Sequence, residues 1–285
     1  MRVHHKLFLP IFLFILVGCM NHESTAVTFH PQKELSEHLA KSSAISSVTN
    51  QHQLDLTIYE HQKPTEWGEF ISGVKTKMET NEKAMALTFD ACGGEHGSLY
   101  DEALMNYLID HQIPATLFVN ARWIESNEPL FLELAENPLF QIENHGTEHK
   151  PLSVSGKSAW GIDGTKSIED AYEEVLVNHN LITELTGVEP TMFRPGTAFF
   201  DNIAVKLLDD LEIEAVNYSI LGDAGATFTP EQVTNALVDH AEHGAIALLH
   251  MNQPSSGTAE GVKQAIPLLM EAGYTFVRLS EFPLK

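Results

Sequence analysis

Residues 84–94 read AMALTFDACGG, and this stretch decides the fold. An apolar run that includes Met85, Leu87 and Phe89 ends at Asp90 and at a pair of glycines. A short apolar run bounded by a turn signal is typical of a strand that is buried on both faces, as in a parallel sheet. We therefore predict a parallel strand that carries Asp90 to the edge of the sheet.

Further apolar runs follow at intervals, and helical patterns lie between most of them. The predicted strands lie near residues 84–90, 114–119, 139–144, 190–194, 215–220, 245–250 and 274–279. The predicted helices cover residues 98–111 (capped by Ser98), 167–186 (ended by Gly187), 202–211, 230–243 and 261–272 (ended by Gly273). This alternation predicts an α/β fold with a parallel sheet, either a (β/α) barrel that is closed or incomplete or an open, doubly wound sheet. No GxGxxG or other phosphate-binding loop follows the first strand, which disfavours nucleotide binding.

Polar side chains stand at the ends of several predicted strands. They are Asp90, His145, Arg194, Asp223 and His250. Any one of them alone is typical of a helix cap, an ion pair or a core residue. Because the carboxyl ends of parallel strands meet at one mouth, their joint placement predicts a shared site.

His145 and His149 are four residues apart and can face one ion if the segment is helical or tightly turned. Two neutral imidazoles suit zinc or another divalent transition metal. Asp90 can either bind that ion or take a proton from a water molecule beside it.

The other strand-end residues suit acid–base chemistry. His250 can protonate a leaving group, and Asp223 can hold its ring and raise its pKa. Arg194 can orient Asp90 and keep it ionised. This set predicts metal-assisted hydrolysis of an amide or an ester.

These residues lie in motifs that resemble those of the polysaccharide deacetylases with a NodB homology domain, the fourth carbohydrate esterase family. The resemblance covers roughly residues 83–281 and rests on Thr88-Phe89-Asp90, His145-Gly146-Thr147-Glu148-His149, Phe193-Arg194-Pro195-Gly196 and Leu248-Leu249-His250. It implies a distorted (β/α) barrel of about seven parallel strands. It also implies the removal of acetyl groups from peptidoglycan, chitin or acetylated xylan.

The resemblance assigns roles to individual residues. It implies that Asp90 is the catalytic base, oriented by Arg194, and that His250 is the catalytic acid, tuned by Asp223. It implies that His145 and His149 bind a divalent metal, with zinc favoured and cobalt or another transition metal as alternatives. The oxyanion donor of the family falls in a shortened motif here, where Gly196 or Thr197 can replace it.

The position directly after Asp90 departs from the family pattern. Ala91 occupies the place of a metal-binding aspartate and has no ligand atom. Three outcomes are open: metal binding is lost, Asp90 moves inward to bind the metal, or Cys92 contributes a thiolate. A small buried core cysteine is the favoured interpretation of Cys92.

Three functional hypotheses follow. The first is a metal-dependent hydrolase that removes N- or O-acetyl groups from an envelope or extracellular polysaccharide, with an aminosugar polymer favoured. The second is a catalytically degenerate carbohydrate-binding lipoprotein, which Ala91 favours. The third is hydrolysis of another carbon–nitrogen bond on the same fold.

The composition restricts the class of partner. The chain of 285 residues carries 39 acids and 17 lysines and arginines, a formal net charge of -22 at pH 7. This charge disfavours nucleic acid, because phosphate binding needs clustered lysine and arginine. A neutral polymer or a small neutral ligand fits better.

The N-terminus resembles a lipoprotein signal. Residues 1–18 combine Arg2 and Lys6 with an apolar run, and Leu16 to Cys19 resemble the bacterial lipobox. We expect cleavage before Cys19, lipidation of Cys19 and a place in the bacterial cell envelope, with the outer membrane favoured if two membranes exist. A plain cleaved signal and an uncleaved anchor are the alternatives.

The expected domain organisation follows from this N-terminus. We expect a signal peptide at 1–18, and the lipidated cysteine, tether and N-terminal extension at 19–80. We expect the catalytic domain at 81–285. Within the extension, 20–53 has the composition of a flexible tether, and 54–75 is apolar enough to pack on the edge of the domain.

Overall fold

The computed structural model describes residues 54–285 of the chain. The predicted signal peptide, Cys19 and the predicted tether therefore lie outside the described residues. Within the described part, strands alternate with helices, which confirms the predicted α/β fold. None of the helices in this part combines the length and the hydrophobicity that a membrane span requires.

The described residues form ten strands and six α-helices. The strands are β1 (Trp67–Gly68), β2 (Ala84–Ala91), β3 (Ala115–Val119), β4 (Phe140–Asn144), β5 (Met192–Phe193), β6 (Phe200–Asp201), β7 (Glu214–Ala215), β8 (Ile220–Leu221), β9 (Ala245–His250) and β10 (Thr275–Phe276). The helices are α1 (Glu102–Asp110), α2 (Ala121–Glu136), α3 (Ile168–Thr186), α4 (Asn202–Asp210), α5 (Pro230–Asp239) and α6 (Thr258–Glu271). Short 3-10 helices cover Leu56–Tyr59 and Leu279–Glu281.

One parallel sheet positions the rest of the fold. Its strand order is β7-β5-β4-β3-β2-β9-β8, and β10 pairs with the first residues of β2. The two edge strands, β7 and β8, are joined only by residues 216–219. The five Cα steps of that connection span at most about 18 Å, whereas the edges of a flat sheet with this strand order would lie about 29 Å apart.

The sheet must therefore curl, and it forms the half-barrel that the sequence predicts. The single strand predicted at 215–220 is wrong, because this segment crosses from one edge of the sheet to the other. Lys75 bridges to Val216 within the crossing, and the amide of Ser219 donates to the carbonyl of Ile246.

The two faces of β2 have different neighbours. Every residue of this strand is buried. Leu87, Phe89 and Ala91 pack in the core between the sheet and the helices. Because side chains alternate along a strand, Thr88 and Asp90 point into the curl of the sheet. The only carboxylate of the strand therefore faces the concave side.

The predicted helices are present, with changes at their ends. Helix α3 has the predicted limits, with Ser167 as its N-cap and Gly187 in the left-handed region at its C-terminus. The predicted start of the first helix is wrong: Asp101 caps α1, and Ser98 instead donates to the carbonyl of Gly94. Helix α5 ends earlier than predicted, and α6 begins earlier. Helix α2 is additional, since Asn127 and Pro129 interrupt its helical pattern.

Residues 54–75, here called the N-terminal segment, lie against the domain. Tyr59 is buried in a cluster with residues of α3 and α4, and its hydroxyl donates to Asp210. β1 pairs antiparallel with β6, so that Trp67 lies opposite Asp201. The segment thus reaches from the helices to the loops at the carboxyl end of the sheet.

Candidate active site

The polar residues predicted at the strand ends lie together at the carboxyl end of the sheet. Asp90 is in β2, next to His250 of β9 in the strand register. The amide of His145, after β4, donates to the carbonyl of Val119, and the amide of Arg194, after β5, donates to the carbonyl of Asn144.

Asp90 and Arg194 form a buried ion pair. Nη1 of Arg194 lies 2.8 Å from Oδ1 of Asp90 and also donates to Oγ1 of Thr88. Nη2 donates to the carbonyl of Asn217, and the guanidinium stacks on the ring of Phe118 at 4.1 Å. Burial favours the protonated acid, but the charges of His145, Arg194 and His250 outweigh it and lower the pKa of Asp90. The carboxylate therefore stays ionised at neutral pH.

Asp223 and His250 form a second buried pair. Nδ1 of His250 lies 2.9 Å from Oδ1 of Asp223, and the backbone amide of His250 donates to Oδ2. Oγ1 of Thr258 donates to the same Oδ2. Burial disfavours the charged ring, but the carboxylate of Asp223 outweighs it and holds the pKa of His250 well above its ordinary value. With Nδ1 engaged by Asp223, Nε2 is the atom that can donate a proton outward.

Three possible metal ligands lie close to Asp90. The ligand atoms of Cys92, His145 and His149 all lie within 4.8 Å of one another. Sγ of Cys92 is 3.9 Å from Nε2 of His145, and Oδ2 of Asp90 is 3.6 Å from the same nitrogen. Cys92 is partly exposed at the mouth, so its favoured interpretation as a core cysteine is wrong.

The surroundings of Cys92 favour its thiolate form. Burial raises the pKa of Cys92, but the charge of His149 and hydrogen bonds from His145, His149 and His250 hold it well below its usual range. Nδ1 of His145 donates to the carbonyl of Arg194 at 2.8 Å, because a carbonyl can only accept. This bond leaves the lone pair of Nε2 for a ligand. One soft thiolate and two imidazoles form a donor set that suits zinc.

Buried polar groups hold the two histidines in place. Asn120 donates to the carbonyls of His145 and Gly146. His149 has a left-handed backbone with φ 62°, so the pair is presented by a tight turn and not by a helix. The carboxylate of Glu174 accepts the amides of Glu148 and Lys150, on either side of His149. Burial raises the pKa of Glu174 to about 6.

The predicted oxyanion residues lie beside the metal triad. A side chain at Gly196 would overlap the backbone and ring of His149, so only glycine fits this contact. The amide of Gly196 has no acceptor among the described residues, and Oγ1 of Thr197 is buried without a hydrogen-bond partner. A backbone donor is thus available next to the imidazoles.

Some contributing residues escape sequence reasoning. Glu174 leaves a signal, because it is an acid between Ala171 and Asn178 on the buried face of α3. Thr258 leaves none, because it lies ahead of the predicted start of its helix. Ala91 packs in the core on the opposite face of β2 from Asp90, with no exposed surface.

Comparisons with known proteins find polysaccharide deacetylases. Residues 77–216 match the family model for polysaccharide deacetylases. Peptidoglycan-N-acetylglucosamine deacetylase PgdA of Listeria monocytogenes is 25% identical over 206 residues, which are 72% of this chain and 40% of PgdA. The chain spans between about a third and about half of the length of several curated relatives that it matches.

Solved structures share the fold. A peptidoglycan N-acetylglucosamine deacetylase superposes with a TM-score of 0.63 at 19% identity, over 74% of this chain and 92% of that chain. A pseudoenzyme of carbohydrate esterase family 4 from Bacillus anthracis superposes with a TM-score of 0.61 at 22% identity, over 74% of this chain and 69% of that chain. At these identities the likeness shows the fold alone.

Proposed function

Since this chain belongs to the polysaccharide deacetylase family, we propose that it hydrolyses acetyl groups on an envelope or extracellular polysaccharide, most favourably an aminosugar polymer. The observation that carries the proposal is geometric. Asp90, which is paired with Arg194, lies next to His250, which is paired with Asp223, in neighbouring strands. The ligand atoms of Cys92, His145 and His149 lie close together, and Nε2 of His145 is 3.6 Å from Oδ2 of Asp90. A site with one proton acceptor and one proton donor suits hydrolysis of an amide or an ester.

Asp90 is the general base of the proposed reaction. Arg194 occupies Oδ1, which leaves Oδ2 to accept a proton from the attacking water. The oxygen of that water bonds to the acetyl carbon, and the carbonyl oxygen takes the developing negative charge. The amides of Gly196 and Thr197 are the proposed donors to this oxyanion.

His250 is the general acid. When the bond between the acetyl carbon and the sugar nitrogen or oxygen breaks, Nε2 of His250 gives its proton to the leaving group. Acetate and a free amine or hydroxyl are the products. Asp223 keeps the ring charged and oriented before this transfer, through the bond to Nδ1.

Cys92, His145 and His149 are the residues that would hold a divalent metal, with zinc favoured. A bound zinc ion supplies a Lewis acid that polarises a carbonyl group and lowers the pKa of water. The thiolate of Cys92 replaces the carboxylate that Ala91 lacks. Asp90 is not required as a ligand, because it is already paired with Arg194.

A sugar-binding protein without catalysis is the second candidate. Its specific support is Ala91, which is buried in the core and offers no ligand atom. The complete acid–base set opposes it, since binding alone has no need of a charged His250 beside an ionised Asp90.

The N-terminal signal extends the proposal to a location. Lipidation of Cys19 would anchor the domain in the cell envelope through the tether, with polysaccharide as its substrate and no nucleic acid partner. Residues 19–80 then form the anchor, tether and extension, and residues 81–285 the catalytic domain. Globomycin-sensitive processing and labelling of the chain with a palmitate analogue test this anchor.

The central experiment measures acetate release and metal content together. Purified chain is offered peptidoglycan, N-acetylglucosamine oligomers and acetylated xylan, with and without a chelator. We expect close to one equivalent of metal per chain, and acetate release that the chelator abolishes. Cys92→Ala should lower the metal content at equal folded fraction, whereas Val188→Ser, at an exposed site after α3, should not. A wild-type chain with neither bound metal nor acetate release would favour the sugar-binding candidate.

A further inference from the structure

Five aromatic rings lie in two contacting sets, Trp67–Phe199–Trp160 and Phe70–Tyr218. The group, here called the aromatic ledge, consists of Trp67, Phe70, Trp160, Phe199 and Tyr218. Trp160 is 77% exposed and Phe70 is 62% exposed. These two exposed rings each pack on a less exposed ring of the group, Trp160 on Phe199 and Phe70 on Tyr218, of which Tyr218 is buried. Exposed aromatic rings held in this way are typical of a binding surface.

Phe199 is the centre of one half of the ledge. Its ring centroid lies 5.5 Å from that of Trp67 and 5.9 Å from that of Trp160, with Trp160 nearly perpendicular to it. The ammonium group of Lys157 lies over the ring of Trp67 at 5.7 Å. Trp67 and Phe199 are thus supported by neighbours, and Trp160 presents its ring to the solvent.

The backbone holds Trp160 in this exposed position. Ala159 and Ile162 exchange two backbone hydrogen bonds, at 3.0 and 2.9 Å, across a tight turn. Trp160 has φ 54° and Gly161 has φ 80° in that turn. A bulky residue in the left-handed region is strained, and the exposure of Trp160 means that burial does not compensate for the strain. Such a residue is a candidate for a function outside folding.

The ledge is connected to the candidate site through Asn217. The carbonyl of Asn217 accepts from Arg194, and its side-chain amide donates to the carbonyls of Ala198 and Glu69. Phe199 follows Ala198, and Phe70 follows Glu69. Tyr218 adds a second contact, because its hydroxyl donates to Glu69 and its ring meets that of Phe70 at 5.3 Å. The two halves of the ledge therefore meet at a residue that contacts Arg194.

We propose that the aromatic ledge binds the sugar rings next to the one that is deacetylated, in a polymer of β-1,4-linked N-acetylhexosamine. This inference rests on the proposed function for the position of the reacting sugar. Equatorially substituted pyranose rings present axial C–H groups on their faces, and these pack on aromatic rings while the hydroxyl groups stay in water. An uncharged polymer also suits a chain with a net charge of -22.

The N-terminal segment is then part of the substrate surface. Trp67 and Phe70 both belong to it, and both lie outside the residues that match the family model, which begins at 77. The segment supplies rings to each half of the ledge. The length of glycan that the protein recognises is therefore set partly by residues that precede the family domain.

The test measures binding apart from catalysis. Asp90→Asn serves as the background, so that the ligand is not consumed, and the probe is the hexamer of N-acetylglucosamine, with the dimer for comparison. Adding Trp160→Ala should raise the Kd for the hexamer roughly tenfold, the loss of about one good aromatic contact. The Kd for the dimer should change less than about twofold. Phe70→Ala should act in the same direction, and Trp160→Phe should retain most of the affinity.

Val188→Ser is the matched control for removing an exposed apolar side chain. The proposal that the aromatic ledge binds the glycan would be rejected if the hexamer does not bind. It would also be rejected if the hexamer binds equally to the Trp160→Ala and Val188→Ser chains. Acetate release by the chain that retains Asp90 is measured separately. If the ledge variants weaken hexamer binding but no glycan yields acetate, the proposed function fails and the ledge stands; the opposite result rejects the ledge alone.

Discussion

Asp90 and Asp223 are both buried carboxylates at the mouth of the same sheet, but their cationic partners differ in kind. Asp90 is paired with Arg194, whose guanidinium keeps its charge at every accessible pH. Asp223 is paired with His250, whose ring is titratable and can give up its proton. The first pair is therefore permanent, and the second can be switched by proton transfer.

This difference gives two identical residue types opposite roles. A permanent partner keeps Asp90 ionised and leaves it one oxygen with which to accept a proton. The partner of Asp223 is titratable, so Asp223 acts by raising the pKa of the His250 ring. The second pair can therefore donate a proton. Assignments of acid and base follow from the partner, because both carboxylates have a lowered pKa.

The most severe test of the first pair is Asp90→Asn. The amide keeps the size of the side chain but cannot accept a proton, so we expect kcat to fall by about a hundredfold to ten-thousandfold. Acetate release from the best glycan substrate measures this. Metal content should remain at the wild-type ratio, since the proposed ligands are untouched. Turnover close to that of the wild type would remove Asp90 from the mechanism.

Arg194→Ala tests whether the first pair is permanent. It leaves the Asp90 carboxylate buried without its main partner, which should lower the free energy of unfolding by about 3 to 5 kcal/mol at pH 7. Urea unfolding measures this. The lowered pKa of Asp90 stabilises the fold above the ordinary pKa of the acid, and this contribution is lost as pH falls through the folded pKa. The cost of the substitution should therefore shrink in acid.

The double variant Asp90→Asn, Arg194→Ala is the control for that measurement. Removing the buried charge together with its partner should recover part of the lost stability. Equal losses in the single and double variants would show that Arg194 acts through packing on Phe118 and not through its charge.

The two pairs also differ in how far the sequence predicts them. The position of Asp90 is predictable because it ends a continuous apolar run. The local sequence pattern alone is enough to identify that run as a buried strand. Asp223 follows a strand that the pattern places at 215–220, whereas the structure divides this stretch between two edges of the sheet. Strands of two residues form because the curled sheet brings their partner strands close. Local sequence propensity does not predict this curling of the sheet.

The metal ligands show the same limit. The spacing of His145 and His149 indicates a shared ligand, but the turn that joins them depends on Glu174, which is far away in the sequence. The direction of Cys92 is decided by the turn in which the amide of Gly93 donates to Gly97. The sequence pattern of a cysteine after a buried strand is the same whether its side chain points into the core or into the mouth of the sheet. Only the folded structure distinguishes these two interpretations.

Asp223→Asn tests whether the second pair can be switched. It removes the charge that raises the pKa of His250, so the alkaline limb of the kcat profile should move to lower pH. At a pH above the lowered pKa of His250, each pKa unit by which it falls should lower the fraction of enzyme with a protonated His250 about tenfold. Acetate release from pH 5 to pH 10 measures this limb. The acid limb belongs to Asp90 and lies below that range, because the pKa of Asp90 is lowered.

Stability gives an independent reading of the same variant. A raised His250 pKa stabilises the wild type fully below the ordinary pKa of imidazole, and this contribution is lost as pH rises through the folded pKa. The wild type should therefore exceed Asp223→Asn most in mild acid. An alkaline limb that stays in place in the variant would show that another group, and not His250, donates the proton.

Thr258→Val is the finest test, because it changes one hydrogen bond to the second pair and keeps the shape of the side chain. Oγ1 of Thr258 lies 2.9 Å from Oδ2 of Asp223 and helps to keep that carboxylate ionised. Without it, Asp223 should charge His250 less completely, and the free energy of unfolding should fall by about 1 to 2 kcal/mol. Thr183→Val removes a comparable hydroxyl, bonded to a carbonyl within α3, and is the matched control. If the two variants lose equal stability but only Thr258→Val moves the alkaline limb of the kcat profile, Thr258 acts through Asp223. If neither variant moves this limb, Thr258 has a structural role only, and Asp223 alone sets the charge of His250.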